Sequence, residues 1–158
     1  MELEELLEKH EGRKNKVYKC TAGKRTIGVG HNIDAKGLPE DIQKWLDMHG
    51  WITEDMIDDL LQSDIEDALN DAWKLYPALE SFSESRRNAL IDFLFNVGLS
   101  TASTFKRMNN AINNGNWDKA AQYISESKYW RQLGGDPKGT DDGKLERPEE
   151  IAQMLREG

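Results

Sequence analysis

Three side chains near the start of the chain have types and spacing suited to one piece of chemistry. Glu11, Cys20 and Thr26 follow the pattern Glu, eight residues, Cys, five residues, Thr. Leu3, Leu6, Leu7 and His10 recur at helical spacing, so residues 2–10 read as a short amphipathic helix with Gly12 as its stop. Glu11 then stands at the negative end of the helix dipole, which favours the protonated carboxyl a general acid needs. Cys20 and Thr26 lie in two runs rich in β-branched and aromatic residues, Lys16–Cys20 and Arg25–His31, separated by Ala22-Gly23. These runs predict an antiparallel hairpin, with a third strand near residues 31–34. Across a hairpin, a thiol and a hydroxyl can face one gap and hold a water or a substrate carbon. Each residue alone has a plain structural reading: a solvated helix end, a small buried apolar side chain, a strand threonine.

The elements that must position them follow from periodicity. Pro39 opens a second helix that Gly50 closes near His49. Thr53 caps the longest helix, whose apolar residues keep a 3.6-residue period from Met56 to Trp73 until Pro77 ends it. Ser81-Phe-Ser-Glu84 reads as a capping box before the run Ala89–Phe95, which is apolar nearly all round and belongs at the centre of a helical core. Shorter helices are expected near 104–113, 117–126 and 148–156. Gly134–Gly143 is the glycine-rich, loop-like stretch. No internal repeat is visible.

Composition bounds the functions available. The chain has 158 residues, about one domain's worth. Its net charge of −8 argues against a protein whose main affinity is for nucleic-acid phosphates. The charge is unevenly spread. Residues 13–25 carry six basic residues and no acid, whereas residues 40–71 carry eleven acids against Lys44. A local basic patch can attract a polyanion even on an acidic molecule. No apolar run approaches a membrane span, and Met-Glu-Leu-Glu-Glu is acidic where a secretory signal needs a basic flank. The expectation is a chain made in the cytoplasm, without membrane insertion. A single cysteine and three scattered histidines predict no disulfide and no metal centre. Gly28-Val-Gly30 lacks the third glycine and following helix of a nucleotide fingerprint, so no cofactor is expected.

Glu11-Gly12, Tyr18-Lys-Cys-Thr21 and Gly23–His31 together resemble the active-site region of phage-type lysozymes, glycoside hydrolase family 24. The likeness continues through Ile52-Thr53 and the long helix, Arg86-Arg87, Phe93–Gly98, Phe105 and Asn116–Ala121. It covers residues 2–130 well and the last thirty poorly. It implies an α+β, mostly helical fold within one lysozyme domain. A hairpin lobe over about 12–52 is joined by a connecting helix over about 53–76 to a helical lobe over 77–158 plus 1–11. It also implies a monomeric muramidase that cuts the β-1,4 bond from N-acetylmuramic acid to N-acetylglucosamine in bacterial peptidoglycan. Glu11 would be the proton donor, with Thr26 and Cys20 holding the attacking water. His31 would pair with Asp64, and His31, Asn32 and Phe95 would lie along the substrate path, although an apolar Phe95 equally suits a core. An endolysin of this kind accumulates in the host cytoplasm until a separate pore protein releases it to the wall. The role of Cys20 stays open between base, electrostatic stabiliser and nucleophile. A non-catalytic peptidoglycan-binding module and a lytic transglycosylase are the alternatives.

Overall fold

A computed structural model describes residues 2–137 and 142–158. Helix α1 spans Leu3–Glu11 and ends at Gly12, whose φ of +78° suits glycine and whose N–H bonds the Glu8 carbonyl. Strands β1 (Lys14–Lys19), β2 (Arg25–Gly28) and β3 (His31–Asn32) form an antiparallel sheet in the order β1-β2-β3. Its register sets Tyr18 opposite Thr26 and Thr26 opposite Asn32. Strand β1 starts two residues earlier than the apolar run suggests, and Cys20 lies just past its end, in the turn. The third strand is only two residues long. Asn32 stops it by accepting a hydrogen bond from Ala35 N at 3.0 Å and so capping a one-turn helix, α2 (Ile33–Lys36).

Helix α3 (Glu40–His49) closes at Gly50 in the left-handed conformation, as the sequence indicates. Helix α4 (Glu54–Leu75) is the longest, and the Thr53 hydroxyl caps it by accepting from Met56 N. A 3-10 turn, Leu79–Ser81, follows Pro77. The expected capping box is displaced here. Ser81 is spent within that turn, its hydroxyl donating to Ala78 O, and Ser83 caps α5 (Glu84–Ala102) by accepting from Arg86 N. Helix α5 is broken at Gly98, with φ +80° and ψ 164°. Helices α6 (Lys106–Asn113), α7 (Trp117–Ser125), α8 (Lys128–Gln132) and α9 (Arg147–Glu157) complete the chain. The middle of the Gly134–Gly143 stretch lies outside the described residues.

The chain divides into two compact units, residues 1–66 and 67–158, with the division inside α4. Residues 1–11 group with the first unit, whose core includes Ile27, Val29, Ile42, Ile52, Ile57 and Leu60. Gly28 of β2 lies against Ile57 of α4, where a Cβ would make an ordinary contact at 3.4 Å, and its φ of +68° is what favours glycine. Arg13 ties the end of α1 to the start of α4, bonding Glu54 at 2.7 Å and Asp58 at 2.9 Å. In the second unit Leu90, Phe93 and Leu94 of α5 are buried with Ile112, Ile124, Ile151 and Leu155. Arg147 reaches the fully buried Asp92 at 2.9 Å. Buried Tyr76 donates to Asn109 Oδ1 at 2.7 Å, and Asn109 Nδ2 donates to the Ala102 carbonyl at 2.9 Å.

Candidate active site

Glu11 is the last residue of α1, and its carboxyl lies against the backbone of Gly30, between β2 and β3. A Cβ on Gly30 would sit 2.7 Å from Glu11 Cδ and 2.8 Å from Oε2. A Cβ here would displace the Glu11 carboxyl, and glycine takes the φ of +66° without strain. The acid therefore sits directly against the turn between β2 and β3.

The hairpin supplies the other groups. Cys20 opens its turn: Cys20 N donates to Lys24 O at 3.0 Å, and Gly23 N donates to Cys20 O at 2.8 Å. The thiol is half-buried. Its pKa is drawn below the usual value, chiefly by the Lys24 backbone N–H, against burial, and further by the Ala22 N–H and the Thr26 hydroxyl. These donors stabilise a thiolate directly, a mechanism distinct from the neighbouring positive side chains. Arg25, adjacent in sequence, is occupied elsewhere, bonding Asp34 at 2.7 Å through its guanidinium and 2.8 Å through its backbone N–H.

Thr26 is only 4% exposed. Its hydroxyl donates to Lys24 O at 2.9 Å and lies within hydrogen-bonding reach of the Cys20 sulfur. One hydroxyl has one proton, so Thr26 serves the carbonyl or the thiolate, while its lone pairs can hold a water. Tyr18 joins this face directly across from Thr26. Burial raises its pKa, and the charges of Glu11 and Cys20 raise it further. Its phenol thus stays a proton-bearing donor that feels both groups. Tyr18 is the residue that the spacing argument passed over. The signal was present in part, since the hairpin that the sequence predicts sets a strand residue of β1 opposite Thr26, and that residue is Tyr18.

The remaining expected residues do not join this cluster. His31 pairs with Ile27, one step out of phase with Thr26, and so projects from the opposite sheet face. There Nδ1 lies 2.7 Å from Asp64 Oδ2 and Nε2 lies 2.7 Å from the Gly37 carbonyl. Lys36 Nζ holds the other Asp64 oxygen at 2.9 Å. Burial opposes a charged imidazole, but the bonds to Asp64 and Gly37 prevail, and the His31 pKa is raised. A carbonyl and a carboxylate can only accept, so both ring nitrogens donate and the ring is an imidazolium. The expected His31–Asp64 pair is therefore present. Asn32 shares the register row of Tyr18 and Thr26, with its side-chain oxygen used as the α2 cap. Phe95 is a half-buried residue of α5 in the second unit. Among the described residues no group of three His, Cys, Asp or Glu could hold a metal ion. No described helix is long and apolar enough to cross a membrane.

Taken together, Glu11, Tyr18, Cys20 and Thr26 present one carboxyl, one phenol, one activated thiol and one hydroxyl from a single unit. Such a set can donate a proton and orient or activate a water. Residues 8–146 match the family model described as Phage lysozyme. The chain is 30% identical over 149 residues to the pre-baseplate central spike protein Gp5 of Enterobacteria phage T4, covering 85% of this chain but 26% of that protein. It thus spans about a quarter of the spike protein's length. Probable T4-type lysozyme 2 of Dictyostelium discoideum is 27% identical, with 80% of this chain and 84% of the relative covered. An endolysin of Acyrthosiphon pisum secondary endosymbiont phage 1 is also 27% identical, over 78% of this chain and 75% of the relative.

Proposed function

The chain belongs to the phage lysozyme family, a family of glycoside hydrolases, and from that premise we propose that it is an endolysin-type muramidase acting on bacterial peptidoglycan. The bond cut is the β-1,4 link from N-acetylmuramic acid to N-acetylglucosamine, and residues 1–158 act as one lysozyme domain. The observation that carries this reading is the seat of Glu11 on Gly30 beside the Tyr18, Cys20 and Thr26 row. Glu11 donates its proton to the leaving oxygen as the glycosidic bond breaks, leaving an oxocarbenium-like sugar. Thr26 holds the incoming water through a lone pair. The Cys20 sulfur, as thiolate, accepts a proton from that water or offsets the positive charge on the sugar. Tyr18, kept protonated by burial and by the charges of Glu11 and Cys20, is a proton-bearing donor available to the substrate. Asn32, in the register row of Tyr18 and Thr26, extends the substrate path on that face. No cofactor is required, and the protein works as a monomer on the wall after release from the host cytoplasm.

Glu11→Gln is the test. An amide cannot deliver the proton, so lysis of permeabilised Gram-negative cells should fall by at least ~100-fold with folding intact. Mass analysis of the parent's products should show reducing ends, because a water-holding Thr26 makes hydrolysis the outcome. Anhydro ends would replace this reading with a transglycosylase, and parental activity of Glu11→Gln would remove Glu11 from the chemistry.

A further inference from the structure

We propose that Trp45, His49 and Trp51 form an accessory platform that stacks on the sugar rings of a glycan strand. The Trp45 and His49 rings stack with centroids 4.1 Å apart and planes 20° apart. Trp51 stands at 80° to Trp45, 5.8 Å away, and at 63° to His49, 5.7 Å away. Trp51 meets the stacked pair at a steep angle, which makes a corner whose His49 and Trp51 members are exposed. Trp51 is 38% exposed, and Met48, three positions earlier, is 79% exposed. The His49 ring is anchored by Nδ1 to the Trp45 carbonyl at 3.0 Å, which leaves its other edge outward. Trp45 Nε1 is covered and meets no acceptor among the described residues, so ring contacts hold this cluster. Nothing in the proposed chemistry uses it.

Charge selects the occupant. Asp41, Trp45 and His49 follow one another at four-residue spacing and so line one face of α3. The helix carries Glu40, Asp41 and Asp47, while Lys44 is bound to Glu40 at 3.1 Å. This acidic frame disfavours anionic lipid headgroups and other anionic surfaces. A pyranose is neutral: its C–H face fits an indole, and its hydroxyls donate to carboxylates. Position supports the same choice. Ile52 N donates to Asn15 O at 2.9 Å, so the segment carrying Trp51 is bonded to β1, the strand that carries Tyr18. From Asn15 to Lys19 is about 13 Å at ~3.3 Å per residue, a span that a short run of sugars covers. A glycan strand gripped at this corner is thereby kept on the unit that holds Glu11. This inference rests on the muramidase reading for the identity of the polymer.

The test uses Glu11→Gln protein, which cannot consume its ligand, and purified peptidoglycan sacculi. Adding Trp51→Ala should weaken sacculus binding roughly tenfold, the loss of a stacking contact of about 1.4 kcal/mol, and Trp51→Phe should restore most of it. With Glu11 present, Trp51→Ala should cut a short soluble fragment at the parental rate. As a measurement independent of any platform variant, the indole N–H signals of Trp45 and Trp51 should shift on titration with an N-acetylglucosamine tetramer. Unchanged sacculus binding, or unshifted indole signals, overturns the platform. Binding to phosphatidylcholine vesicles that Trp51→Ala abolishes overturns it in favour of a lipid surface. Failure of the muramidase reading shows separately, as a parent that releases no reducing ends.

Discussion

Replacing Gly30 by alanine separates the cost of a backbone from the cost of misplacing an acid. A Cβ at Gly30 would lie 2.7 Å from Glu11 Cδ, whereas ordinary contact begins at 3.4 Å, so the carboxyl must retreat by about 0.7 Å (3.4 − 2.7). The obstacle is the end of a flexible side chain, so the fold yields at little expense. The positive φ costs alanine about 1 kcal/mol. Gly115 provides the control, with φ +68° and nothing within 4 Å of an added Cβ. Both Gly30→Ala and Gly115→Ala should lose about 1 kcal/mol in urea unfolding. Only Gly30→Ala should lose catalysis, on the order of 100-fold, because a displacement near 1 Å at a reacting group costs that much. The loss should fall on kcat rather than KM, read from release of reducing ends by folded protein. A Gly30→Ala enzyme with parental kcat would show that Glu11 does not depend on its seat, and the positional argument would fail.

Cys20→Ser should lose ~10- to 1000-fold in rate, since a hydroxyl orients water but does not ionise near neutral pH, while Cys20→Asp should keep substantial activity. Full activity of both Cys20→Ser and the thiol-blocked parent would reduce Cys20 to packing. His31→Asn should cost about 2 kcal/mol, because it leaves the buried Asp64 with Lys36 alone. His31 titrates above its ordinary 6.5 in the folded protein, so the pair's contribution is complete below pH 6.5 and fades as pH rises through the folded value. Urea midpoints should show that slope in the parent and not in His31→Asn, and an identical slope in both would contradict the imidazolium. Exchanging Lys14, Lys16 and Lys19 for Gln should weaken wall binding at low salt, with the deficit shrinking as salt rises. Equal binding at low salt would make the basic stretch a solvated face.

Much of the hairpin, and the grouping of its candidate residues, was legible because its signals are local. The Gly23 turn, the caps at Thr53 and Gly50 and the Glu-Cys-Thr spacing each depend on residues a few positions apart. What escaped depends on competition or on distance. Ser81 and Ser83 are equal candidates for a cap until the chain after Pro77 tightens into a 3-10 turn and uses the first. Asn32 suits a strand by position, yet its amide finds a better partner in Ala35 N. The role of Gly30 cannot be read from its neighbours, because the atom that excludes a side chain belongs to Glu11, nineteen positions earlier. The lowered pKa of Cys20 is not written in its neighbours' side chains either, because its largest cause is the Lys24 backbone N–H, a group present in any sequence.

The buried string from Tyr76 through Asn109 to Ala102 runs in one direction only. The phenol gives its proton to Oδ1, so Nδ2 must face the Ala102 carbonyl. A carboxylate at Asn109 would set oxygen against oxygen at that end, acceptor facing acceptor, in a place water does not reach to relieve it. The seam between Tyr76 and α6 is thus a directional polar lock, which accepts an amide at Asn109 and rejects the isosteric acid.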